Sequence, residues 1–293
     1  MSLSAQDKTK TWRVIDLIHW AETYFREKKF STPRSEIEWL LQSLLNCSRM
    51  DVYLRFEETL SKSQLSILRG WVKRRISHEP LQYITGSTEF YGRTFFVTPS
   101  VLIPRAETER LIDISLEKIP EIEKMNIIDI GTGSGCIAIT VAMERPNTQV
   151  IGIDISKDAL QIADKNKNYH TVKNVQFEQD DILLNKPIQE PAHLIICNPP
   201  YIRQEEMDSL MEDVKQFEPH EALTDNQDGL TFYRRLAEKS HEWILAGGWL
   251  ILEVGLNDHP IKAMNLFKDQ GFKNVELMKD YNGDDRILIV KIA

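Results

Sequence analysis

Asn198-Pro199-Pro200-Tyr201 is the stretch whose residue types limit the chemistry of this chain most narrowly. It follows His193-Leu194-Ile195-Ile196-Cys197, an apolar run that reads as a buried strand. Proline donates no ladder hydrogen bond and fixes its own φ, so the strand must end there. A stiff loop follows, with an amide at its base and an aromatic ring at its tip. The Asn198 side-chain oxygen and a proline carbonyl are acceptors that the proline peptides keep in place, and Tyr201 offers a flat face. Such a loop can hold a planar group bearing N–H bonds.

Upstream lies Ile127-Ile128-Asp129-Ile130-Gly131-Thr132-Gly133-Ser134-Gly135-Cys136, an apolar strand running into alternating glycines and then a helical segment. Glycine permits positive φ and lets backbone approach a ligand closely. A P-loop would need Lys after the glycines, and none is there. A dinucleotide-binding turn prefers G-x-G-x-x-G, but the third glycine comes one residue early, with Cys136 in its place. The G-x-G-x-G pattern with its preceding acid, Asp129, resembles the first motif of S-adenosylmethionine-dependent methyltransferases. The residues expected to border that cofactor are Asp129, Gly131, Thr132, Gly133, Ser134 and Gly135.

The next apolar run, Val150 to Ile155, carries Asp154 roughly 20 residues past the glycines, where a carboxylate for ribose hydroxyls is expected. A third run, Val175-Gln176-Phe177-Glu178, leads to Gln179-Asp180-Asp181-Ile182. Asp181 is expected to face an adenine amino group, with Ile182 against the ring. Alone, Asp154 also fits a helix N-cap before Ser156-Lys157-Asp158. The recurrence of the pattern favours a ligand rim: the glycine loop, Asp154, Asp181 and Asn198 each follow a strand in a βα repeat. In open α/β sheets, ligands bind at the carboxyl ends of strands.

These strands need a scaffold, and the rest of the chain supplies one. Residues 9–85 read as helical throughout, with Val14, Leu17, Ile18, Ala21 and Phe25 at helical spacing and Pro33 at a helix start. Ser61-Lys62-Ser63-Gln64 is a capping-box pattern. Residues 1–85 are therefore expected to form a small helical bundle that recognises a partner. Glu89 to Thr98, aromatic around a Gly turn, reads as a β-hairpin within a connector over 86–104. Residues 105–293 alternate helix and strand, opening on a helix with Ile112, Leu116 and Ile119 on one face and ending with strands at 249–254 and 286–290. That alternation predicts an α/β, Rossmann-like domain with a mainly parallel sheet.

With 293 residues the chain can bury a sizeable core, and no apolar run approaches the ~20 residues that span a bilayer. The N-terminus lacks the pattern of a secretory signal. Cys47, Cys136 and Cys197 are scattered and odd in number, so they read as reduced thiols of a cytoplasmic protein; no His or Cys pair has zinc spacing. Residues 1–85 hold 14 Lys+Arg against 10 Asp+Glu, whereas the remainder holds 22 against 34. An acidic catalytic half argues against wrapping a nucleic-acid duplex.

Taken together, the residues resemble the release-factor glutamine N5-methyltransferases (the PrmC/HemK family) over nearly the whole chain. The resemblance runs through Gly86 and Glu89-Phe90-Tyr91-Gly92, then Val101-Leu102-Ile103-Pro104-Arg105-Ala106-Glu107-Thr108-Glu109 and the glycine motif. It continues through Asn-Pro-Pro-Tyr, Phe217-Glu218-Pro219-His220, Asp228-Gly229-Leu230 and Glu253-Val254-Gly255. The family usually has Pro at Ala106, a departure that removes no reactive group. The resemblance implies methyl transfer from S-adenosyl-L-methionine to the glutamine of the Gly-Gly-Gln loop in peptide-chain release factors. A carboxamide nitrogen is a poor nucleophile and the sulfonium methyl is already activated, so the protein's main task is alignment. Asn198 and the Pro199 carbonyl are expected to accept the substrate N–H groups, with Pro200 stiffening the loop, Tyr201 on the amide plane and Phe96 walling the site. Glu107, Glu109 and Glu253 stand either as cleft residues or as caps and surface carboxylates.

Other readings remain. A ribosomal-protein glutamine methyltransferase would share fold, cofactor and motif. A DNA adenine N6-methyltransferase is disfavoured by the acidic half and by the lack of a long insert for target recognition. A non-catalytic docking module would have no need of the complete Asn-Pro-Pro-Tyr loop. A nicotinamide-dependent oxidoreductase is disfavoured by the early third glycine.

Overall fold

The computed structural model describes residues 11–184 and 190–293. The chain divides into two compact units, one closing at Gly86 and the other running Ser87–Ala293. Among the described residues no helix is long and apolar enough to cross a membrane.

The first unit is helical: α1 Val14–Glu27, α2 Pro33–Leu45, α3 Arg49–Leu54, α4 Lys62–Arg75 and α5 Leu81–Thr85. Val14, Leu17, Ile18, Ala21 and Phe25 are all buried, so the stripe read from spacing is the core face of α1. Ser61 caps α4, its hydroxyl accepting from Gln64 N while the Gln64 side chain accepts from Ser61 N. Two buried carboxylates tie the bundle together. Glu36 pairs with Arg75 at 2.6 Å, and Glu38 accepts from Arg34, Arg49 and Tyr53.

The second unit opens with a hairpin, β1 Ser87–Phe90 and β2 Arg93–Phe96. Its loop residues Tyr91 and Gly92 both have positive φ, as a tight two-residue hairpin turn requires. Then come α6 Glu107–Glu117, β3 Asn126–Ile130, α7 Cys136–Glu144, β4 Gln149–Asp154, α8 Lys157–Tyr169, β5 Val175–Gln179 and β6 Ala192–Cys197. They are followed by α9 Glu212–Phe217, α10 His220–Leu223, α11 Thr231–Trp243, β7 Ile244–Glu253, α12 His259–Asp269, β8 Asn274–Lys279 and β9 Asp285–Lys291. Gly86 closes the helical unit and the hairpin lies in the second, so the stretch read as a connector is split at that point.

The sheet order is β5-β4-β3-β6-β7-β9-β8. Strands β5 to β7 run parallel, while β9 is antiparallel to both β7 and β8. Strands β3, β6 and β7 are apolar at successive positions because both faces are covered. Ile128, Ile130, Ile195, Cys197, Leu250 and Leu252 enter one cluster, and Ile127, Leu194, Ile196 and Ile251 enter the other. Each fully buried Ile or Leu contributes about 1.5–3 kcal/mol. The hairpin at the sheet's end, β8 with β9, extends the expected parallel sheet by an antiparallel edge. Strand β8 is exposed at Asn274, Glu276 and Lys279, so it presents no continuous apolar run in the sequence.

Candidate active site

Strand order reverses direction between β3 and β6, which leaves a crevice at the carboxyl ends of those two strands. The glycine loop leaves β3 on one side of it and Asn198 leaves β6 on the other. A Cβ placed on Gly131 would lie 3.9 Å from the Asn198 carbonyl, so the two loops are neighbours with open space over the glycine. Gly131 and Thr132 donate their N–H groups to the Ile153 carbonyl of β4, at 2.8 and 3.0 Å. Gly135 stands at φ +79° as the N-cap of α7, and a Cβ there would press on Ile139 and Phe177.

Asp129 lies fully buried under this loop. Its Oδ2 accepts from the Thr132 hydroxyl at 2.7 Å and from Ala138 N at 3.1 Å, which ties strand, loop and helix together. Its Oδ1 is buried with no hydrogen-bond partner. Burial raises the carboxyl pKa to about 7.

Asp154 ends β4, and its Oδ2 accepts from Gly133 N at 2.8 Å while Oδ1 accepts from Ser156 N at 2.9 Å. Ser156, not Asp154, is the N-cap of α8, accepting from Ala159 N. The carboxylate thus spans the glycine loop and the start of the next helix, and burial raises its pKa. Asp181 follows β5, and its Oδ1 accepts from Leu183 N at 2.8 Å. Ile182 is buried, and its carbonyl accepts from Arg235.

Phe96 reaches this rim through Asn166, a fully buried residue of α8. Asn166 Oδ1 accepts from Phe96 N at 2.7 Å, and Nδ2 donates to the carbonyls of Phe96 and Ser134 at 3.0 and 2.9 Å. One amide therefore fastens the hairpin to the glycine loop. The Phe96 ring packs under the Lys165 ammonium, 3.9 Å from its centroid, and edge-on to Tyr169.

Beyond β6, Asn198 Nδ2 donates to Thr108 Oγ1 at 3.2 Å, and that hydroxyl donates to Glu253 Oε2 at 2.6 Å. Tyr201 is not a free ring at the loop's tip. Its hydroxyl donates to Glu253 Oε1 at 3.2 Å and accepts from Arg286 at 2.9 Å, and the guanidinium lies over its ring. Arg286 also pairs with Glu253 at 3.0 Å. It reaches this rim because β9 runs against β7, which puts the start of β9 beside the end of β7. Burial pushes the Glu253 carboxyl pKa up, and Arg286 with the two hydroxyls pulls it back. Pro199 is buried. Gly229 packs so closely under the loop that a Cβ would fall 2.2 Å from the Tyr201 carbonyl. His259 supports the same region: its Nδ1 accepts from Gly255 N at 3.1 Å, so Nε2 carries the proton and donates to the Gly229 carbonyl at 3.0 Å. Burial lowers the His259 pKa, in keeping with a neutral ring.

The remaining acids separate by role. Glu109 accepts from Tyr91 N at 2.8 Å and so stabilises the hairpin turn. Glu107 lines a cavity of about 460 Å³ together with Tyr201, Arg203, Asp284 and Arg286. Glu253 is a buried hub. Glu218 is buried too, accepting from Arg105 at 2.5 Å and from Ile103 N at 3.3 Å, so it anchors the segment that leads into α6. Asn166, Arg286 and His259 carried no sequence signal of their own, and Thr108 stood only within the stretch from Val101 to Glu109 that carries the resemblance.

A family model for the PrmC N-terminal domain matches residues 16–86, and one for a methyltransferase domain matches residues 122–228. A release factor glutamine methyltransferase of Geobacter sulfurreducens is 37% identical over 283 residues, covering 96% of this chain and 98% of that protein. One from Coxiella burnetii is 38% identical over 260 residues, covering 89% and 92%. Among solved structures, a methyltransferase from Pyrococcus furiosus superposes with a TM-score of 0.50 at 17% identity, covering 79% of this chain and 98% of that one, and so shares the fold.

Proposed function

The chain belongs to the release factor glutamine methyltransferase family, and we propose that its rim aligns the glutamine of a release factor's Gly-Gly-Gln loop for methylation at the side-chain nitrogen. It is an S-adenosyl-L-methionine-dependent protein glutamine methyltransferase acting on release factors. The observation that carries the alignment reading is the placement of the Asn198 amide at the strand-order reversal, beside the glycine loop, with Nδ2 committed to Thr108.

The rim suits the cofactor on three counts. The glycine loop is open where a Cβ at Gly131 would project, Asp129 keeps a buried oxygen without a protein partner, and each Asp154 oxygen takes a single backbone N–H. Asp154 would hold the ribose hydroxyls, Gly131 to Gly135 would cradle the amino-acid end, and Asp181 and Ile182 would border the adenine. Bound S-adenosyl-L-methionine supplies the activated methyl group. Asn198 Oδ1 and the Pro199 carbonyl take no donor from the described residues, which leaves both to accept the two substrate N–H groups. Holding those bonds places the nitrogen lone pair in line and favours the positive charge that develops on it. Pro200 keeps the loop stiff, Tyr201 borders the amide and Phe96 closes the hairpin side. The cavity lined by Glu107 and Tyr201 adjoins the end of this loop.

Asn198→Ala tests this directly. Turnover should fall on the order of 100-fold while S-adenosyl-L-methionine affinity stays within about threefold. Equal losses in both would make Asn198 a cofactor residue.

A further inference from the structure

We propose that Thr108 and Glu253 form a one-way hydrogen-bond chain that fixes which end of the Asn198 amide faces the substrate, and so sets the preference for a carboxamide over a carboxylate. This rests on the reading of Asn198 as the acceptor of the substrate N–H groups, and it names the device that turns that amide the right way round.

The two ends of an Asn side chain are nearly the same size, so packing alone does not select one. Hydrogen-bond direction does. A carboxylate only accepts. Glu253 Oε1 is taken by Arg286 at 3.0 Å and Tyr201 at 3.2 Å, and Oε2 receives the Thr108 hydroxyl at 2.6 Å. That hydroxyl has one proton, and Glu253 holds it. Towards Asn198, Thr108 therefore shows only lone pairs, and the amide answers with Nδ2 at 3.2 Å. Oδ1 is left facing outward. Thr108 and Glu253 are 3% and 1% exposed, so water does not compete for either bond. The Arg286 guanidinium, which can only donate, opposes the burial that raises the Glu253 pKa and fixes Oε1 as an acceptor.

Reversing one link reverses the whole chain. In Glu253→Gln, Arg286 and Tyr201 retain the side-chain oxygen, and the new NH2 points at Thr108. The Thr108 hydroxyl must then accept, its proton turns to Asn198, and the amide rotates to offer Oδ1 inward and Nδ2 outward. Two donors would then face each other across a carboxamide substrate. A carboxylate in the same place would meet a donor. Thr108→Val breaks the chain without reversing it.

The experiment uses the full chain, S-adenosyl-L-methionine, a purified release factor and the same factor with its Gly-Gly-Gln glutamine replaced by glutamate. Turnover, cofactor Kd and the ratio of the two release-factor affinities are measured for Thr108→Val, Thr108→Ser, Glu253→Gln and Asn198→Ala. Thr108→Val and Glu253→Gln should each lose on the order of 100-fold in kcat with cofactor Kd within about threefold. Thr108→Ser should recover most of what Thr108→Val loses. The wild-type preference for glutamine over glutamate, on the order of 10-fold or more, should shrink in Thr108→Val and fall to parity or invert in Glu253→Gln. A purely structural role would lower turnover and leave that ratio in place, and this result overturns the proposal. So does full turnover in Thr108→Val, or a cofactor Kd that weakens in step with kcat. If Asn198→Ala keeps its turnover, the alignment reading itself fails. If Asn198→Ala loses turnover while Thr108→Val and Glu253→Gln keep it, the chain alone fails.

Discussion

Replacing Asp154 with alanine separates two effects of one carboxylate, the scaffolding bonds it makes and the ribose contact proposed for it. The first is scaffolding: its oxygens accept from Gly133 N at 2.8 Å and Ser156 N at 2.9 Å. Both donors belong to half-buried residues, so water can replace the carboxylate and each loss costs about 1 kcal/mol. Removing a carboxyl that burial disfavours offsets part of this. The net change in stability should be about 1 kcal/mol, a drop of roughly 2–4 °C in Tm for a unit of this size. The second effect is on the cofactor. Two ribose hydroxyls donating to a charged acceptor contribute about 1.5–2 kcal/mol each, so Asp154→Ala should weaken binding by about 3–4 kcal/mol, or two to three powers of ten in Kd. Isothermal titration with S-adenosylhomocysteine reads the affinity, and a thermal melt reads the fold. A Kd within about threefold of wild type, with the melt nearly unchanged, would refute the ribose assignment.

Two further outcomes follow from the same rim. Asp129 titrates near 7 in the folded chain because of burial, against about 3.9 when unfolded, so the native state holds a proton that the unfolded chain has lost. Its contribution to stability is therefore full below about pH 4 and is lost as pH rises through about 7, whereas the cofactor's positive charge favours the ionised carboxyl. S-adenosyl-L-methionine affinity should rise with pH through about 7, and titrations on Asp129→Asn should be flat over that range; an identical pH profile in the variant contradicts the role. Gly229→Ala puts a Cβ 2.2 Å from the Tyr201 carbonyl at φ +77°, so the Asn-Pro-Pro-Tyr loop must move. Stability should fall by about 1–3 kcal/mol and turnover should drop more than cofactor affinity, with wild-type kinetics arguing that the loop position is unimportant.

Much of the rim was legible because its residues follow apolar strands. Asp129, the glycines, Asp154, Asp181 and Asn198 sit at or just past strand ends, and the repeated strand–helix alternation places such ends on one edge. The supporting network was not legible, because its partners are far apart in sequence. Thr108 and Glu253 are separated by 145 residues, and Asn166 reaches Phe96 across 70. Asn166 reads as an ordinary polar helix residue until the fold buries it. Arg286 needed the antiparallel turn of β9 to reach the functional edge, and periodicity carries no strand direction. Tyr201 was expected at a loop tip and is instead half-buried, with its hydroxyl tied inward to Glu253 and Arg286.

The most direct test is mass spectrometry of a purified release factor after incubation with this protein and S-adenosyl-L-methionine. A single added methyl on the glutamine of the Gly-Gly-Gln loop is the expected result, and it should vanish with Asn198→Ala. An unmodified glutamine, with the cofactor bound and the enzyme folded, would contradict the assigned substrate nitrogen.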